Sequence, residues 1–442
     1  MFKSQLLSES INFNRLLMNL IKRYSSILFL MVLGCPSYSN GKGYAPGKQF
    51  EYKTKDLPKG VYQYSIWVPK NYDPKKEYPV VFYLHGGGGR KFPSYGKKNI
   101  ISDRLIDNQN WTSAGYSGNA HGLHEYIHVA PVKAIYEWEA KKFKALLKDV
   151  NKKVNINENR VYVTGFSMGG QGTWIVGCGS SLGYKIAAMM PLGAWGCEWV
   201  NHGTTPETCM TRKTPVWVLH CPYDEISKIS DQIDLFKNHL NCGGYGRFTM
   251  IPGEGHIQRP RGDDDEGLSM RVAWMLSQTY DTPHNYLVQT KGGVILEAIE
   301  GERPFIGDTS TYGFFEPNTK INITAAATKN GQRFLKWASL KGKFEDPKSR
   351  RTSYTTVDND SELFAIYENQ KVKLSVFGGK ADPKKPMPGD KVTITINKNQ
   401  KDKPFLFWQS NPTIELTQPY ENTVQFCMPP HDLVISAKPK KY

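Results

Sequence analysis

Between residues 80 and 251 the chain alternates short, largely apolar runs with segments of helical period, and few folds can satisfy that alternation. Val80-Val81-Phe82-Tyr83-Leu84, the run from Tyr126 to Ala130, Val161-Tyr162-Val163, Val216-Trp217-Val218-Leu219 and Phe248-Thr249-Met250-Ile251 all read as strands. They lack the polar alternation of a sheet with one wet face, so both faces need cover. Residues 138–150, with Phe143, Leu146, Leu147 and Val150 along one side, have the helical spacing that supplies it. The pattern predicts an α/β fold built on a mostly parallel sheet with helices on both faces. Ahead of it, residues 61–68 are rich in β-branched and aromatic side chains and read as a further strand.

After about His284 the pattern changes to β alternation without a strong helix, and an internal repeat emerges. Pro317-Asn318-Thr319-Lys320-Ile321-Asn322-Ile323-Thr324 with Phe334-Leu335-Lys336-Trp337 matches Pro388-Gly389-Asp390-Lys391-Val392-Thr393-Ile394-Thr395 with Phe405-Leu406-Phe407-Trp408, at an offset of 71 residues. Two tandem all-β modules, each burying its Trp, account for both copies. A chain of 442 residues is long for one core. The expected organisation is a signal segment over residues 1–35, a linker over 36–46, an α/β domain over 47–284, and β modules over 285–369 and 370–442.

Near the start, Lys22 and Arg23 precede Ile27-Leu28-Phe29-Leu30-Met31-Val32-Leu33, far short of the roughly 20 apolar residues that span a bilayer. This reads as the core of a signal peptide, with Met18 as an alternative start. The run ends in Val32-Leu33-Gly34-Cys35, which resembles the bacterial lipoprotein signal, where cleavage precedes the Cys and its thiol is lipidated. An ordinary secretory signal with an incidental Cys is the alternative. Cys35 is therefore the expected lipidation site, and the bacterial membrane an expected partner through the lipid. The expected location is the outer membrane or cell surface, otherwise the periplasm or the medium. In an oxidising compartment the other six Cys can pair, and Cys197 with Cys209, flanking a loop-like stretch, is the favoured pair.

Gly165-Phe166-Ser167-Met168-Gly169 follows one of the strands and leads into a helix-like segment over 171–177. A serine nucleophile on a sharp strand-to-helix turn needs small flanking residues, an accessible hydroxyl and a backbone N–H beside it. A second copy of the pattern, Gly179-Ser180-Ser181-Leu182-Gly183, has no strand before it, so Ser181 reads as a helix terminus. Leu84-His85-Gly86-Gly87-Gly88-Gly89 comes directly after a buried strand, where backbone N–H groups can approach a developing oxyanion. Met168 and Gly87 or Gly88 are the candidate donors. The chain order Ser, acid, His then selects Asp224, in His220-Cys221-Pro222-Tyr223-Asp224, and His256, in Gly253-Glu254-Gly255-His256. Both follow strands, where open α/β sheets build their sites. Glu225 is the competing acid. Asp231, Asp234 and His239 fall on a helix, and His220 precedes the acid.

The stretch from Arg160 to Gly170, continued by Gly172-Thr173-Trp174, resembles the nucleophile region of exported bacterial esterases related to feruloyl and acetylxylan esterases and polyhydroxybutyrate depolymerases. The resemblance spans about residues 50–280. It implies an α/β-hydrolase fold and carboxylic ester hydrolysis, with Ser167, Asp224 and His256 at matching positions. Cys221 departs from it, since the family usually has Gly after the His that stands here as His220. The C-terminal copies resemble the divergent β-repeats of bacterial surface proteins, closing in a strand over 426–435.

The formal net charge of +16 raises the question of a polyanionic partner. From Lys371 onward there are 12 Lys against 6 Asp and Glu, mostly singly or in pairs in turn-like stretches. That distribution reads as a solvated basic surface, and no nucleic-acid partner is expected. The Cys spacings match no zinc pattern, and neither metal nor organic cofactor is expected. The expected function is hydrolysis of a carbohydrate-linked ester, feruloyl or acetyl, through an acyl-enzyme. A serine peptidase or lipase would use the same triad. A non-catalytic surface binding protein would be expected to have lost a triad member.

Overall fold

Every residue of Tyr78–Leu84 is buried, and this strand, β3, lies near the middle of an eight-stranded sheet. The computed structural model describes residues 44, 47, 49–52, 55, 57–69, 71–87, 126–132, 138–194, 211–251, 255–256, 265–280, 282, 284–298, 311–397, 404–412, 414 and 416–439. The expected signal segment with Cys35, and Gly88, Cys197 and Cys209, lie outside them. Around β3 stand β1 (Gln49–Tyr52), β2 (Gln63–Trp67), β4 (Ile127–Val132), β5 (Ile156–Phe166), β6 (Ala188–Leu192), β7 (Val216–His220) and β8 (Gly246–Met250). The order is β1-β2-β4-β3-β5-β6-β7-β8. β2 is antiparallel to both neighbours, and every pair from β4 to β8 is parallel.

Period-two alternation sends successive strand residues to opposite faces. Val80, Phe82, Val163 and Val218 join one buried cluster, and Val81, Tyr162, Trp217 and Leu219 join another. The first is shared with α1 (Ala140–Lys153), α2 (Met168–Cys178) and α3 (Ile229–Asn241), the second with α4 (Asp265–Ser277). The mostly parallel sheet follows the sequence expectation, whereas β6 does not. Ala188-Met189-Met190-Pro191-Leu192 contains no β-branched or aromatic residue, so nothing local announces a strand. Its hydrogen bonding between β5 and β7 makes it one.

Among its described residues the C-terminal region holds four smaller sheets. Residues 286–367 contain β9 (Tyr286–Lys291), β10 (Gly293–Ala298), β11 (Tyr312–Phe315), β12 (Lys320–Ala325), β13 (Thr328–Lys329), β14 (Gln332–Ala338), β15 (Lys343–Phe344), β16 (Arg351–Thr355) and β17 (Ser361–Tyr367). Residues 374–439 contain β18 (Leu374–Phe377), β19 (Gly379–Asp382), β20 (Lys391–Ile396), β21 (Phe405–Asn411), β22 (Thr423–Cys427) and β23 (Leu433–Pro439). The two sets pair alike. β9 with β17 and β18 with β23 are parallel, while β10-β12-β16 and β19-β20-β22 are antiparallel. Trp337 and Trp408 are both buried, and their indole N–H groups donate to the carbonyls of Arg350 (3.3 Å) and Glu421 (2.9 Å).

Packing is continuous from the large sheet into these modules. Leu287, Tyr312 and Phe314 share a cluster with Val272 and Trp274, and Leu406, Phe407 and Tyr420 share one with Ile229 and Phe236. Asp360 accepts from the Tyr245 hydroxyl (3.0 Å), Arg247 Nη1 (2.6 Å) and the Leu287 N–H (2.7 Å), fastening β8 to the first module. Cys242 is disulfide-bonded, and Cys178, Cys221 and Cys427 carry buried thiols, so only part of the Cys set cross-links.

Candidate active site

Ser167 occupies the turn between β5 and α2 at φ 59° and ψ −119°, a conformation that a non-glycine residue holds only when its surroundings impose it. Its N–H donates to the Leu192 carbonyl (2.9 Å), and its own carbonyl accepts from Gln171 to begin the helix (3.0 Å). Gly165 and Gly169 both press on the Leu84 carbonyl, and a Cβ at either would collide with it. The glycines are thus dictated by close approach to the end of β3. Gly86 passes over the same turn, where a Cβ would lie 2.9 Å from the Phe166 carbonyl oxygen and 3.3 Å from Ser167 Cβ. The Gly-rich loop and the serine turn are therefore in contact. Gly87 follows directly, and Met168 supplies the first N–H of α2, at the positive end of the helix dipole.

Asp224 lies in the turn after β7 and is buried. Its Oδ1 accepts the N–H groups of Ile226 and Ser227, both at 2.8 Å, and its Oδ2 accepts from His256 Nδ1 at 2.6 Å. Burial pushes the Asp224 carboxyl up, but the hydrogen bonds from His256, Ser227 and Ile226 together outweigh it and hold the group below its ordinary value. The carboxylate therefore stays ionised at neutral pH. With its proton on Nδ1, His256 keeps Nε2 as a basic lone pair, and that atom is buried with no hydrogen-bond partner among the described residues. The imidazole lies against the ring of Phe166, centroids 4.6 Å apart, so the residue before Ser167 is the one that seats the histidine. Gly255, at φ 90°, turns the chain into His256, and its N–H reaches the Tyr223 carbonyl (3.4 Å), joining the base loop to the acid loop.

The rivals fall elsewhere. Glu225 is exposed, and Ser181 is exposed in a short 3-10 turn beyond α2. His239 is buried, accepting from the Thr211 hydroxyl (2.7 Å) and donating to the Tyr245 carbonyl (2.9 Å). His220 is closer to the site than its place in the chain suggests. Its Nε2 donates to the Ser227 carbonyl at 2.9 Å and stands 3.8 Å from Asp224 Oδ2. Burial lowers its basicity, so the contact is that of a neutral imidazole bracing the turn, not an ion pair. The sequence reading missed this role, and it missed the Ile226 and Ser227 amides. An Asp followed at two and three residues by backbone donors is an Asx-type turn, a signal the sequence does contain.

No family model matches the chain. Among solved structures it is similar to a thermostable esterase, at 24% identity over 52% of this chain and 63% of that one, with a TM-score of 0.39. A feruloyl esterase module from Clostridium thermocellum matches at 19% identity over 51% of this chain and 87% of that one, with a TM-score of 0.34. An S-formylglutathione hydrolase from Staphylococcus aureus matches at 13% identity over 52% of this chain and 98% of that one, with a TM-score of 0.37. Among the described residues no group of three or more His, Cys, Asp or Glu side chains converges as metal ligands do.

Proposed function

We propose that the protein is a serine carboxylic ester hydrolase of the α/β-hydrolase type, working through an acyl-enzyme. The observation that carries the reading is the buried hydrogen bond from His256 to Asp224, with the opposite imidazole nitrogen unpartnered and the ring seated on the residue before a strained Ser167. Ser167 Oγ attacks the ester carbonyl while His256 Nε2 takes its proton. Asp224 holds the tautomer and stabilises the imidazolium. The N–H groups of Met168 and of Gly87 or Gly88 donate to the oxyanion, each worth about 3 to 4 kcal/mol in the transition state. His256 then protonates the departing alkoxide, and water repeats the sequence to release the acid.

The substrate we propose is a feruloyl or acetyl ester on a polysaccharide, supported by the expected export, the β modules and the resemblance of the nucleophile region. A panel of feruloyl, acetyl, long-chain acyl and peptide substrates is expected to give turnover on the first two. Turnover confined to peptides or long-chain esters would replace this reading by a peptidase or a lipase. A fluorophosphonate probe should label the parent and Ser181→Ala alike, and leave Ser167→Ala unlabelled.

We also propose lipidation at Cys35, on the strength of Leu33-Gly34-Cys35 after a short apolar core. Cys35→Ser should abolish acyl-chain incorporation and release the protein from membranes. An unmodified mature N-terminus at another residue, seen by mass spectrometry, would contradict it.

A further inference from the structure

We infer that Phe407, in the second β module, is a positioning residue for the acid loop, which makes the C-terminal module part of the catalytic unit. The inference rests on the roles assigned above to Asp224 and His256. Tyr223 immediately precedes Asp224, and its carbonyl receives the Gly255 N–H, the link between the acid and base loops. The Tyr223 ring has the ring of Phe407 against it, centroids 6.0 Å apart and planes at 61°. Phe407 is 1% exposed. A side chain so enclosed restricts what it touches, because a packed interior leaves little room for displacement.

The contact is not a by-product of building a β module. The β-bulge between Phe405 and Phe407 breaks the strict alternation, so Leu406 and Phe407 both join the cluster of the large sheet and its helices, while Trp408 enters the module's own core. Counting back 71 residues, the first module has Leu335 and Lys336 where the second has Leu406 and Phe407. Leu335 is 48% exposed, so the pairing pattern tolerates a surface there. The second module instead offers an apolar face along its contact with the catalytic layer. Tyr420 packs edge-on against Phe236 of α3 and Phe248 of β8, at 6.3 and 5.7 Å, and Glu421 pairs with Lys237 of α3 at 2.8 Å. β7 leads to Asp224 and β8 leads toward His256, so this face grips the region from which both groups project. Small misplacements of catalytic groups cost up to about a hundred-fold in rate, which sets the expected scale.

The test uses the full chain and p-nitrophenyl acetate. Phe407→Ala is expected to lower kcat about 10- to 100-fold with KM within about two-fold of the parent. Phe407→Tyr, which keeps the ring, should restore kcat. Val392→Ala, which removes volume from the module's own core, should lower the unfolding temperature and leave kcat near that of the parent. Should Phe407→Ala not fold, Phe407→Leu, which lacks the ring contact, makes the same comparison. Proton NMR supplies a readout independent of turnover. The far-downfield resonance of a carboxylate-bonded His256 Nδ1 proton, absent in His256→Ala, should be weakened or lost in Phe407→Ala and kept in Val392→Ala. If the parent shows that resonance and Phe407→Ala keeps both it and kcat, the positioning role is wrong and the triad stands. A parent that lacks the resonance, or keeps it in His256→Ala, overturns the pairing of Asp224 with His256 and this inference with it.

Discussion

Ser167→Ala and His256→Ala are each expected to reduce kcat on small esters by about a million-fold, and Asp224→Asn by about ten-thousand-fold, with the fold unchanged. The size of the effect follows from interdependence. A hydroxyl is a poor nucleophile until its proton has somewhere to go, and the imidazole accepts it only in the tautomer that Asp224 selects through Nδ1. Removing a second member after the first should therefore cost almost nothing more, and the triple variant should be little worse than Ser167→Ala. Residual turnover is expected in all of them, from the N–H donors and substrate binding that the substitutions leave in place. Steady-state kinetics alongside circular dichroism makes the comparison. Independent, multiplicative losses would argue against a coupled triad. An inert Asp224→Asn beside a crippled Glu225→Gln would move the acid to Glu225, although that side chain is exposed.

Acidification should destabilise the fold steeply between about pH 6.5 and pH 4. His128, on β4, is buried, and neither of its ring nitrogens has a hydrogen-bond partner among the described residues. Burial also dominates at His239, and both imidazoles are pushed down to about 4 from the usual 6.5. In that interval the unfolded chain binds protons that the folded chain refuses, so stability falls as pH drops through it and levels off below. Each His is worth roughly 3 kcal/mol across the full window, and a domain is typically stable by about 5 to 15 kcal/mol. His220 and His284 are lowered by burial as well and act in the same direction. Asp224, also held below its ordinary value, acts in the same direction, but its share is lost only as pH falls through and below the ordinary carboxylate range. Urea unfolding midpoints between pH 7 and pH 4 provide the measurement. His128→Leu should remove part of the slope, and a midpoint that does not change over this interval would contradict the account.

The alternation of apolar strands and helical segments, the glycines around Ser167 and the placing of Ser167, Asp224 and His256 beyond the ends of strands were all legible in the chain, because each rests on local spacing. Period-two burial, helix period and the crowding of a sharp turn are short-range physics, written in neighbouring residues. The repeat was legible for the same reason, as a fixed offset between two similar stretches.

What the tertiary structure decided depends on residues far apart in sequence. β6 is a strand because β5 and β7 flank it, not because Ala, Met and Pro favour one. Phe166 against His256, and Phe407 against Tyr223, join groups separated by ninety residues or more. Local pattern marks Phe166 as a turn neighbour and Phe407 as a module residue, and says nothing of which surface each will meet. Read as a sequence, the C-terminal modules begin where the strand pattern changes, near His284. In three dimensions Asp360, Phe407 and Tyr420 carry the packing across that point, because apolar faces and a buried carboxylate must find partners wherever the fold brings them.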